Sequence, residues 1–224
     1  MIQMRDVHKL YHIGPIEMEV LKGINLTVKR GEFLSIMGTS GCGKSTLMNI
    51  MGLLDVASSG SYLLEDRDVS RFSDKDQSVT RNQKIGFVFQ HFFLLQRLTA
   101  LENVAIPLVY RGMGERERVQ RSEQMLEKVG MAHRQHHRPT ELSGGEQQRV
   151  AIARAFVGKP SIIFADEPTG ALDPRVGQEI MNLFLKLNEE EEVTIIVITH
   201  DPGIARQCKR SVRMTEGLLE ETVS

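Results

Sequence analysis

The 224-residue chain has little cysteine, no long apolar run and no excess of either charge. Its two cysteines, Cys42 and Cys208, lie far apart in the sequence, so we expect a reducing compartment and no disulfide framework. No apolar run approaches the ~20 residues of a membrane helix and no signal peptide opens the chain, so we expect a soluble, cytoplasmic protein. The net charge of −1 argues against nonspecific binding to nucleic acid or anionic lipid. Any membrane role must therefore come through a partner.

A glycine-rich loop at residues 38–46, GTSGCGKST, is the most informative stretch. It fits the pattern G-x-x-x-x-G-K-[ST] at every fixed position. An apolar segment of strand length precedes it at residues 33–37, and residues 45–54 carry apolar side chains around nearly every face of a helix, which predicts a buried helix. This order of elements directs backbone N–H groups and the positive end of a helix dipole at one point, which suits polyphosphate. The alternative is a chance glycine loop, but both flanks favour a P-loop nucleotide site.

Side-chain chemistry gives the predicted roles within this loop. Lys44 reaches the terminal phosphates, and the Ser45 hydroxyl can ligate Mg²⁺. Cys42 is either a reactive thiol, favoured by the helix N-terminus, or a small side chain turned away from solvent. The residues predicted to bind the nucleotide here are Gly38, Thr39, Ser40, Gly41, Cys42, Gly43, Lys44, Ser45 and Thr46.

Strand and helix patterns divide the chain into three parts. Residues 1–90 alternate like antiparallel strands near the N-terminus and contain the P-loop, which predicts a nucleotide-binding core. Residues 91–157 lose the strand signal and carry helix patterns at 115–129 and 143–157, which predicts a helical subdomain. Residues 158–224 return to short apolar strands, which predicts the second half of the core. The fold class is therefore α/β: a P-loop NTPase core with a mostly parallel sheet, an antiparallel β part at the N-terminus and a helical insertion.

Three polar groups follow apolar strand patterns: Gln90, the pair Asp166-Glu167, and His200. Catalysis in an open α/β sheet takes place at the carboxyl ends of the strands, where the P-loop also lies. Asp166 fits a Walker B carboxylate that holds Mg²⁺, and Glu167 is placed to orient or deprotonate the attacking water. An isolated Asp-Glu pair is more typical of a helix N-cap, and an isolated histidine of a cap or surface position. The prediction therefore depends on the position of these residues after strands.

A second helix start with little side-chain bulk is present at residues 142–146, LSGGE. A serine and two glycines open the helix pattern, so its N-terminus is suited to an anion. It has no lysine of its own, so we expect it to complete a site rather than to form one. LSGG alone is a weak signal, but between a P-loop and a Walker B strand it is highly specific.

These motifs together resemble the ATP-binding subunits of ABC transporters, over essentially the whole chain. The resemblance implies a Walker A motif at Gly38–Thr46, a Walker B carboxylate and catalytic base at Asp166 and Glu167, and a switch histidine at His200. The remaining implied nucleotide-site residues are Tyr11 beneath the adenine ring, the Q-loop residue Gln90, the signature residues Ser143, Gly144, Gly145 and Glu146, and the D-loop residue Asp173. The implied cofactors are ATP and Mg²⁺, with Ser45, Gln90 and Asp166 at the metal. For Tyr11 the alternative is an ordinary strand tyrosine.

The resemblance also implies partners and a location. Family members work as head-to-tail dimers, in which the signature of one copy closes on the ATP of the other. A membrane permease would contact the chain near Gln90–Leu95 and hold it at the inner face of the cell membrane, with no nucleic-acid partner. Residues 85–90, 98–104 and 168–173 are similar to the group that releases lipoproteins, exports macrolides or antimicrobial peptides, or serves cell division.

Two positions depart from the family pattern. Glu146 stands where glutamine is usual, and Thr39 where proline is common in this group. Neither change removes a phosphate ligand. Three nearby histidines form a candidate metal group, but no matching cysteine or carboxylate set accompanies them; they are His133, His136 and His137.

Three alternatives stay open at this point. The chain could be a soluble ABC-type ATPase that acts on nucleic acid or ribosomes, although its near-neutral charge and the absence of a long heptad insertion or basic tail argue against this. An unrelated P-loop kinase or GTPase is disfavoured by LSGGE. The four apolar residues 92–95 cannot all face one side of a helix or strand, so some are either exposed for the permease or packed in a local core.

Overall fold

The computed structural model describes residues 1–221, in which an antiparallel N-terminal part precedes alternating strands and helices. No helix in that range is both long enough and apolar enough to cross a bilayer. The strands are β1 (Ile2–Ile13), β2 (Ile16–Val28), β3 (Phe33–Gly38), β4 (Ser59–Leu64), β5 (Arg67–Asp68), β6 (Ile85–Phe89), β7 (Ile162–Asp166), β8 (Thr194–Thr199), β9 (Arg210–Thr215) and β10 (Leu218–Glu221). The helices are α1 (Lys44–Met51), α2 (Asp74–Lys84), α3 (Ala100–Tyr110), α4 (Glu115–Lys128), α5 (Gly144–Phe156), α6 (Pro174–Glu191) and α7 (Pro202–Ala205), with 3₁₀ turns at Ala132–Arg134 and Pro139–Glu141.

The chain divides into two compact units. The first contains residues 1–81 and 194–221, and the second contains residues 82–193. The first unit has an antiparallel sheet in the order β2-β1-β4-β5, together with the neighbouring strands β10-β9-β3-β8. The long β1–β2 pairing confirms the antiparallel N-terminal part that alternation predicted.

The strand before the glycine loop is the centre of the first unit. β3 pairs in parallel with both β8 and β9. Its side chains at Phe33, Leu34 and Ile36 are fully buried, as expected for a strand covered on both faces. The register sets Met37 opposite Thr199, so the residues that follow β3 and β8 lie at the same edge of the sheet. These pairings confirm the mostly parallel sheet of an α/β core.

Helices surround a parallel strand pair in the second unit. β6 pairs in parallel with β7, with Phe89 opposite Asp166. Between these two strands the chain is helical, and α5 packs against α3, α4 and β6. A Cβ atom placed on Gly86 of β6 would lie 2.5 Å from the Ala155 carbonyl oxygen, so glycine allows α5 to approach the strand. The helix-rich stretch after β6 agrees with the loss of the strand signal in the sequence.

The first helix is shorter than its apolar pattern predicts. The pattern extends to Leu54, whereas α1 ends at Met51 with Gly52 as its C-cap. Leu53 has a positive φ of 56°, and the Leu54 side chain is 48% exposed. The expectation of a helix over residues 45–54 was therefore wrong at its C-terminal end, because the left-handed backbone at Leu53 ends the helix after Gly52 while apolar side chains continue.

Candidate active site

The glycine loop follows β3 and opens onto α1. Gly41 and Gly43 have φ values of 79° and 108°, which side chains with a Cβ rarely adopt. Gly43 is the N-cap of α1; no side chain caps this helix end, and its first turn carries no acidic residue. The N–H groups of the first turn and the positive end of the helix dipole are therefore left for an anion.

The terminal hairpin supports this loop from outside the motif. A Cβ atom on Gly38 would lie 2.5 Å from the Met214 carbonyl oxygen in β9. Gly217, in the β9–β10 turn, donates its N–H to the Cys42 carbonyl oxygen at 3.0 Å. These contacts join residues far apart in sequence, so no local pattern predicted them.

Lys44 lies within the curve of the loop and is only 9% exposed. Its Nζ donates to the carbonyl oxygens of Gly38 and Thr39 at 2.8 and 2.7 Å. Cys42 is 7% exposed, and its Sγ lies 4.0 Å from the same Nζ. The structure therefore shows the inward-turned cysteine rather than an accessible thiol. Ser45 is exposed on the first turn of α1, where its hydroxyl can meet a ligand.

Tyr11, near the end of β1, is connected to both ends of α1. Its hydroxyl donates to Asp55 Oδ2 at 2.8 Å, just beyond the end of α1, and also interacts with the Thr46 side chain in the first turn. Burial and donation to the Asp55 carboxylate raise the pKa of Tyr11, so the phenol stays protonated. Sequence reasoning selected Tyr11 but missed Asp55. The two residues are 44 positions apart in the sequence, so no local pattern predicted their contact.

His200 follows β8 at the edge of the sheet where the glycine loop begins. The Met37–Thr199 register places Gly38 and His200 directly after paired residues. The His200 side chain is exposed. The next residue, Asp201, caps α7 by accepting the Gly203 N–H at 2.6 Å. The strand-end position predicted for His200 is therefore present in the first unit.

Gln90 and Glu167 directly follow the paired ends of β6 and β7, because Phe89 lies opposite Asp166. Glu167 has φ 44°, a left-handed conformation that is strained for a residue with a side chain. Its carbonyl oxygen accepts the Gly170 N–H at 3.0 Å, which closes a turn. A Cβ atom on Gly170 would lie 2.8 Å from Gln90 Nε2, so the glutamine packs against this turn. Both predicted polar groups thus lie at one edge of the second unit.

The signature residues form the start of α5, next to the start of α6. Ser143 is the N-cap of α5 and accepts the Glu146 N–H. A Cβ atom on Gly145 would lie 2.6 Å from Val176 Cγ1 of α6, so the second glycine is needed for helix packing. Asp173 caps α6 by accepting the N–H groups of Arg175 and Val176 at 3.1 Å each. The two capped helix starts are therefore neighbours within the second unit.

Glu146, the departure from the usual glutamine, completes a capping box with Ser143. Its Oε2 accepts the backbone N–H and the hydroxyl of Ser143, both at 2.9 Å. Its Oε1 accepts Arg134 Nε at 3.2 Å. The Ser143 N–H is the main cause of a lowered pKa for Glu146, and burial opposes it only in part. The carboxylate is therefore stabilised at the helix N-terminus.

Two polar residues of α5, one buried and one half-buried, were missed by sequence reasoning. Gln148 is fully buried and donates from Nε2 to the Pro168 carbonyl oxygen at 2.6 Å, which joins α5 to the turn after Glu167. Arg154 donates to the carbonyl oxygens of Phe92 and Phe93 at 2.8 and 2.6 Å. Burial lowers the pKa of Arg154. The only signal available in the sequence was a polar side chain on a mostly apolar helix face.

The predicted residues thus form two groups, each within its own unit. The first group contains Tyr11, the glycine loop and His200. The second contains Gln90, Asp166, Glu167, Asp173 and the signature residues. Among residues 1–221, no group of three or more His, Cys, Asp or Glu side chains is arranged to hold a metal ion.

Comparison with known proteins identifies the family. A sequence model described as ABC transporter matches residues 21–170, about two thirds of the chain. The chain belongs to the ABC transporter family. It is an ATP-binding cassette, the ATP-hydrolysing component of an ATP-driven transporter.

The similar proteins include some of about the same length as this chain and some that are much longer. An uncharacterized ABC transporter ATP-binding protein of Bacillus subtilis, YknY, is 51% identical, with 97% of this chain and 94% of that protein covered. The lipoprotein-releasing system ATP-binding protein LolD of Myxococcus xanthus is 44% identical, with 99% of each chain covered. The macrolide export ATP-binding/permease protein MacB of Syntrophobacter fumaroxidans is 47% identical, but the match covers 98% of this chain and only 31% of MacB.

A solved ABC structure has the same fold. The ATP-binding cassette MJ0796, described as a dimer in a post-hydrolysis state bound to ADP and Pi, is 42% identical. Its TM-score is 0.90, with 100% of both chains covered. The likeness confirms the predicted P-loop α/β fold with its antiparallel part and helices.

Proposed function

We propose that this ABC cassette drives a separate membrane permease that exports or releases a lipoprotein, a peptide or a drug-like molecule. The names of the relatives support this substrate range, because they include a lipoprotein-releasing protein and a macrolide exporter. In MacB the permease belongs to the same polypeptide, whereas this chain matches only the ATP-binding third. The cassette would therefore lie at the inner face of the membrane through its permease.

The phosphate site of this proposal uses the start of α1. Exposed Ser45 and the uncapped N–H groups offer ligands to the phosphates and to Mg²⁺, and Lys44 can exchange its loop carbonyl partners for phosphate oxygens. Mg²⁺ requires oxygen ligands and is usually held by one or two protein groups together with substrate phosphates. Ser45, Gln90 and Asp166 have that chemistry. Bound Mg²⁺ would neutralise charge on the phosphates.

Glu167 is the proposed general base, and His200 is proposed to act on the transferred phosphoryl group. The left-handed backbone at Glu167 sets the direction in which its side chain leaves the chain after β7, and a carboxylate held in one place favours the orientation of one water molecule. His200 is exposed at the strand edge beside the glycine loop and can donate to a phosphate oxygen. ATP would hold two copies head to tail, with exposed Ser143 of one copy at the nucleotide of the other.

The permease surface is the segment that follows Gln90, and its exposure is the observation that carries the transport proposal. Phe93 and Leu95 are 61% and 53% exposed, whereas Leu94 between them is buried. Phe92 and Phe93 have positive φ values of 60° and 47°, and Arg154 binds both carbonyl oxygens. An ordered apolar surface beside the Q-loop is suited to a protein partner.

Stimulation of ATP hydrolysis by the permease tests this proposal. The permease would be captured from detergent-solubilised source membranes with the tagged cassette, and ATPase activity measured with and without it. Phe93→Ala and Leu95→Ala should abolish stimulation while basal activity persists. Val79→Ala, at a residue 47% exposed on α2, is the matched control. Undiminished stimulation in both test variants, or capture of ribosomes or nucleic acid instead of a membrane protein, would contradict the proposal.

A further inference from the structure

A compact ionic cluster surrounds Tyr11 in the first unit. The Asp55 carboxylate accepts the Tyr11 hydroxyl at Oδ2, 2.8 Å away, and the Lys9 ammonium at Oδ1, 2.6 Å away. The Val56 N–H also donates to Oδ1, at 2.7 Å. Burial alone would raise the pKa of Asp55, but these hydrogen bonds lower it overall. The carboxylate therefore stays charged and fixes the hydroxyl end of the tyrosine.

Lys9 contacts the ring as well as the carboxylate. Its Nζ lies 4.8 Å from the Tyr11 ring centroid, in a cation–π arrangement, and donates to the Val56 carbonyl oxygen at 2.8 Å. Only 11% of the Lys9 side chain is exposed, so its stem is packed against its neighbours. The ammonium occupies one face of the ring, and a flat ligand can stack only on the other face.

The cluster is attached to the helix that opens with Lys44. Asp55 donates its N–H to the Asn49 carbonyl oxygen of α1 at 3.2 Å. Tyr11 interacts with Thr46 in the first turn of the same helix. The orientation of the ring is therefore set relative to the phosphate-binding end of α1.

We propose that Lys9 and Asp55 are positioning residues for nucleotide binding, which hold the Tyr11 ring so that adenine stacks on the face opposite Lys9. This inference depends on the proposed role of Tyr11 as the aromatic residue beneath adenine. A ring held in one orientation loses less conformational freedom when the base binds, so the pair strengthens ATP binding through Tyr11. A purely structural link between β1 and α1 would instead affect any ligand of the glycine loop.

Two ligands separate these roles: ATP in EDTA, where it is not hydrolysed, and tripolyphosphate, which has no base. Tyr11→Leu should weaken ATP binding about 5- to 150-fold, the range expected for one base–aromatic stack. Lys9→Met and Asp55→Asn should each weaken it about 3- to 10-fold, as expected for a ring that is retained but less well oriented. All three should bind tripolyphosphate like the wild type. Lys75→Met, at an exposed position of α2, is the charge-matched control.

Combined variants complete the test. Lys9→Met in the Tyr11→Leu background should add no further loss of ATP affinity, because Lys9 acts through the ring. A parallel loss of tripolyphosphate binding in both Lys9→Met and Asp55→Asn, or additive losses in the double variant, would overturn the inference. If Tyr11→Leu weakens ATP binding but neither Lys9→Met nor Asp55→Asn does, only the positioning inference fails. If Tyr11→Leu itself binds ATP normally, the proposed role of Tyr11 fails and the inference fails with it.

Discussion

Replacement of Glu146 by glutamine isolates the contribution of one charge at the start of α5. The side chain keeps its length and one acceptor oxygen, so the capping hydrogen bond from Ser143 can persist. The variant loses the negative charge beside the helix N-terminus and the ionic part of the contact with Arg134, whose Nε lies 3.2 Å from Oε1. The Glu146 side chain is 25% exposed and that of Arg134 is 40% exposed, so solvent screens this pair.

The expected loss of stability is small. A charge at a helix N-terminus contributes about 0.3–1 kcal/mol. A partly exposed ion pair contributes about 0–1 kcal/mol. Glu146→Gln should therefore lower the free energy of unfolding by about 0.3–2 kcal/mol at pH 7, which corresponds to a fall in Tm of roughly 1–8 °C for a chain of this size.

The sign of the pH dependence follows from the lowered pKa of Glu146. Its ordinary pKa is 4.5, and the folded protein holds it below that value. The stabilisation is therefore complete above pH 4.5 and is lost as the pH falls through the folded pKa. The two proteins should differ in Tm at pH 7 and converge in acid.

Calorimetry of both proteins across this range checks the reasoning, with Glu123→Gln at an exposed position of α4 as a control for loss of one carboxylate. The control should show no comparable change. Equal Tm shifts for the two variants at pH 7, or a difference that persists below the folded pKa, would refute the electrostatic account of Glu146.

Three further substitutions test the supports of the site. Asn103→Ala removes a fully buried amide that accepts the Leu95 N–H at 2.8 Å and donates to neighbouring carbonyl oxygens. The substitution should lower the free energy of unfolding in urea by about 2–4 kcal/mol. A variant as stable as the wild type would show that the loop before α3 does not need this amide. Gly86→Ala brings a Cβ to 2.5 Å from the Ala155 carbonyl oxygen and should cost about 1–3 kcal/mol in the same assay, unless α5 can move away. Gly43→Ala adds a Cβ 2.8 Å from the Met214 side chain, at a residue with φ 108°, so it should weaken ATP binding at least about tenfold by calorimetric titration. Gly114→Ala adds a Cβ in open space and should leave ATP binding unchanged. Equal affinities for the two variants would show that the loop tolerates a side chain at position 43.

Local patterns in the sequence predicted where the polar groups of the candidate site lie, but not the contacts that support them. The glycine loop is recognisable because its spacing and its apolar flanks are local. The helix at 143–157 was predicted to within its caps, since Ser143 is the N-cap of α5 and Val157 is its C-cap. Gln90, Asp166 and His200 stand at strand ends because short apolar runs form buried strands here, and within each unit the parallel pairing brings the ends of paired strands to one edge.

Contacts between distant residues escaped the sequence analysis. Gly217 supports Cys42, and Asp55 binds Lys9 and Tyr11, in each case through a register that no local window contains. The early end of α1 was missed because hydrophobic periodicity does not record a C-cap. Local patterns therefore predict candidate groups for the site but do not encode the contacts that hold these groups in place.

The central claim is that two copies of this chain close around ATP and that Glu167 then drives hydrolysis. The Glu167→Gln variant tests it most directly, because loss of the base should lower the turnover rate at least about 10²- to 10⁴-fold while the glycine loop still binds ATP. With Mg-ATP its mass by light scattering after size exclusion should be twice the 25.3 kDa of the chain, and without nucleotide it should be that of one copy. Glu167→Gln with wild-type ATPase activity, or a variant that remains monomeric when saturated with Mg-ATP, would contradict the account.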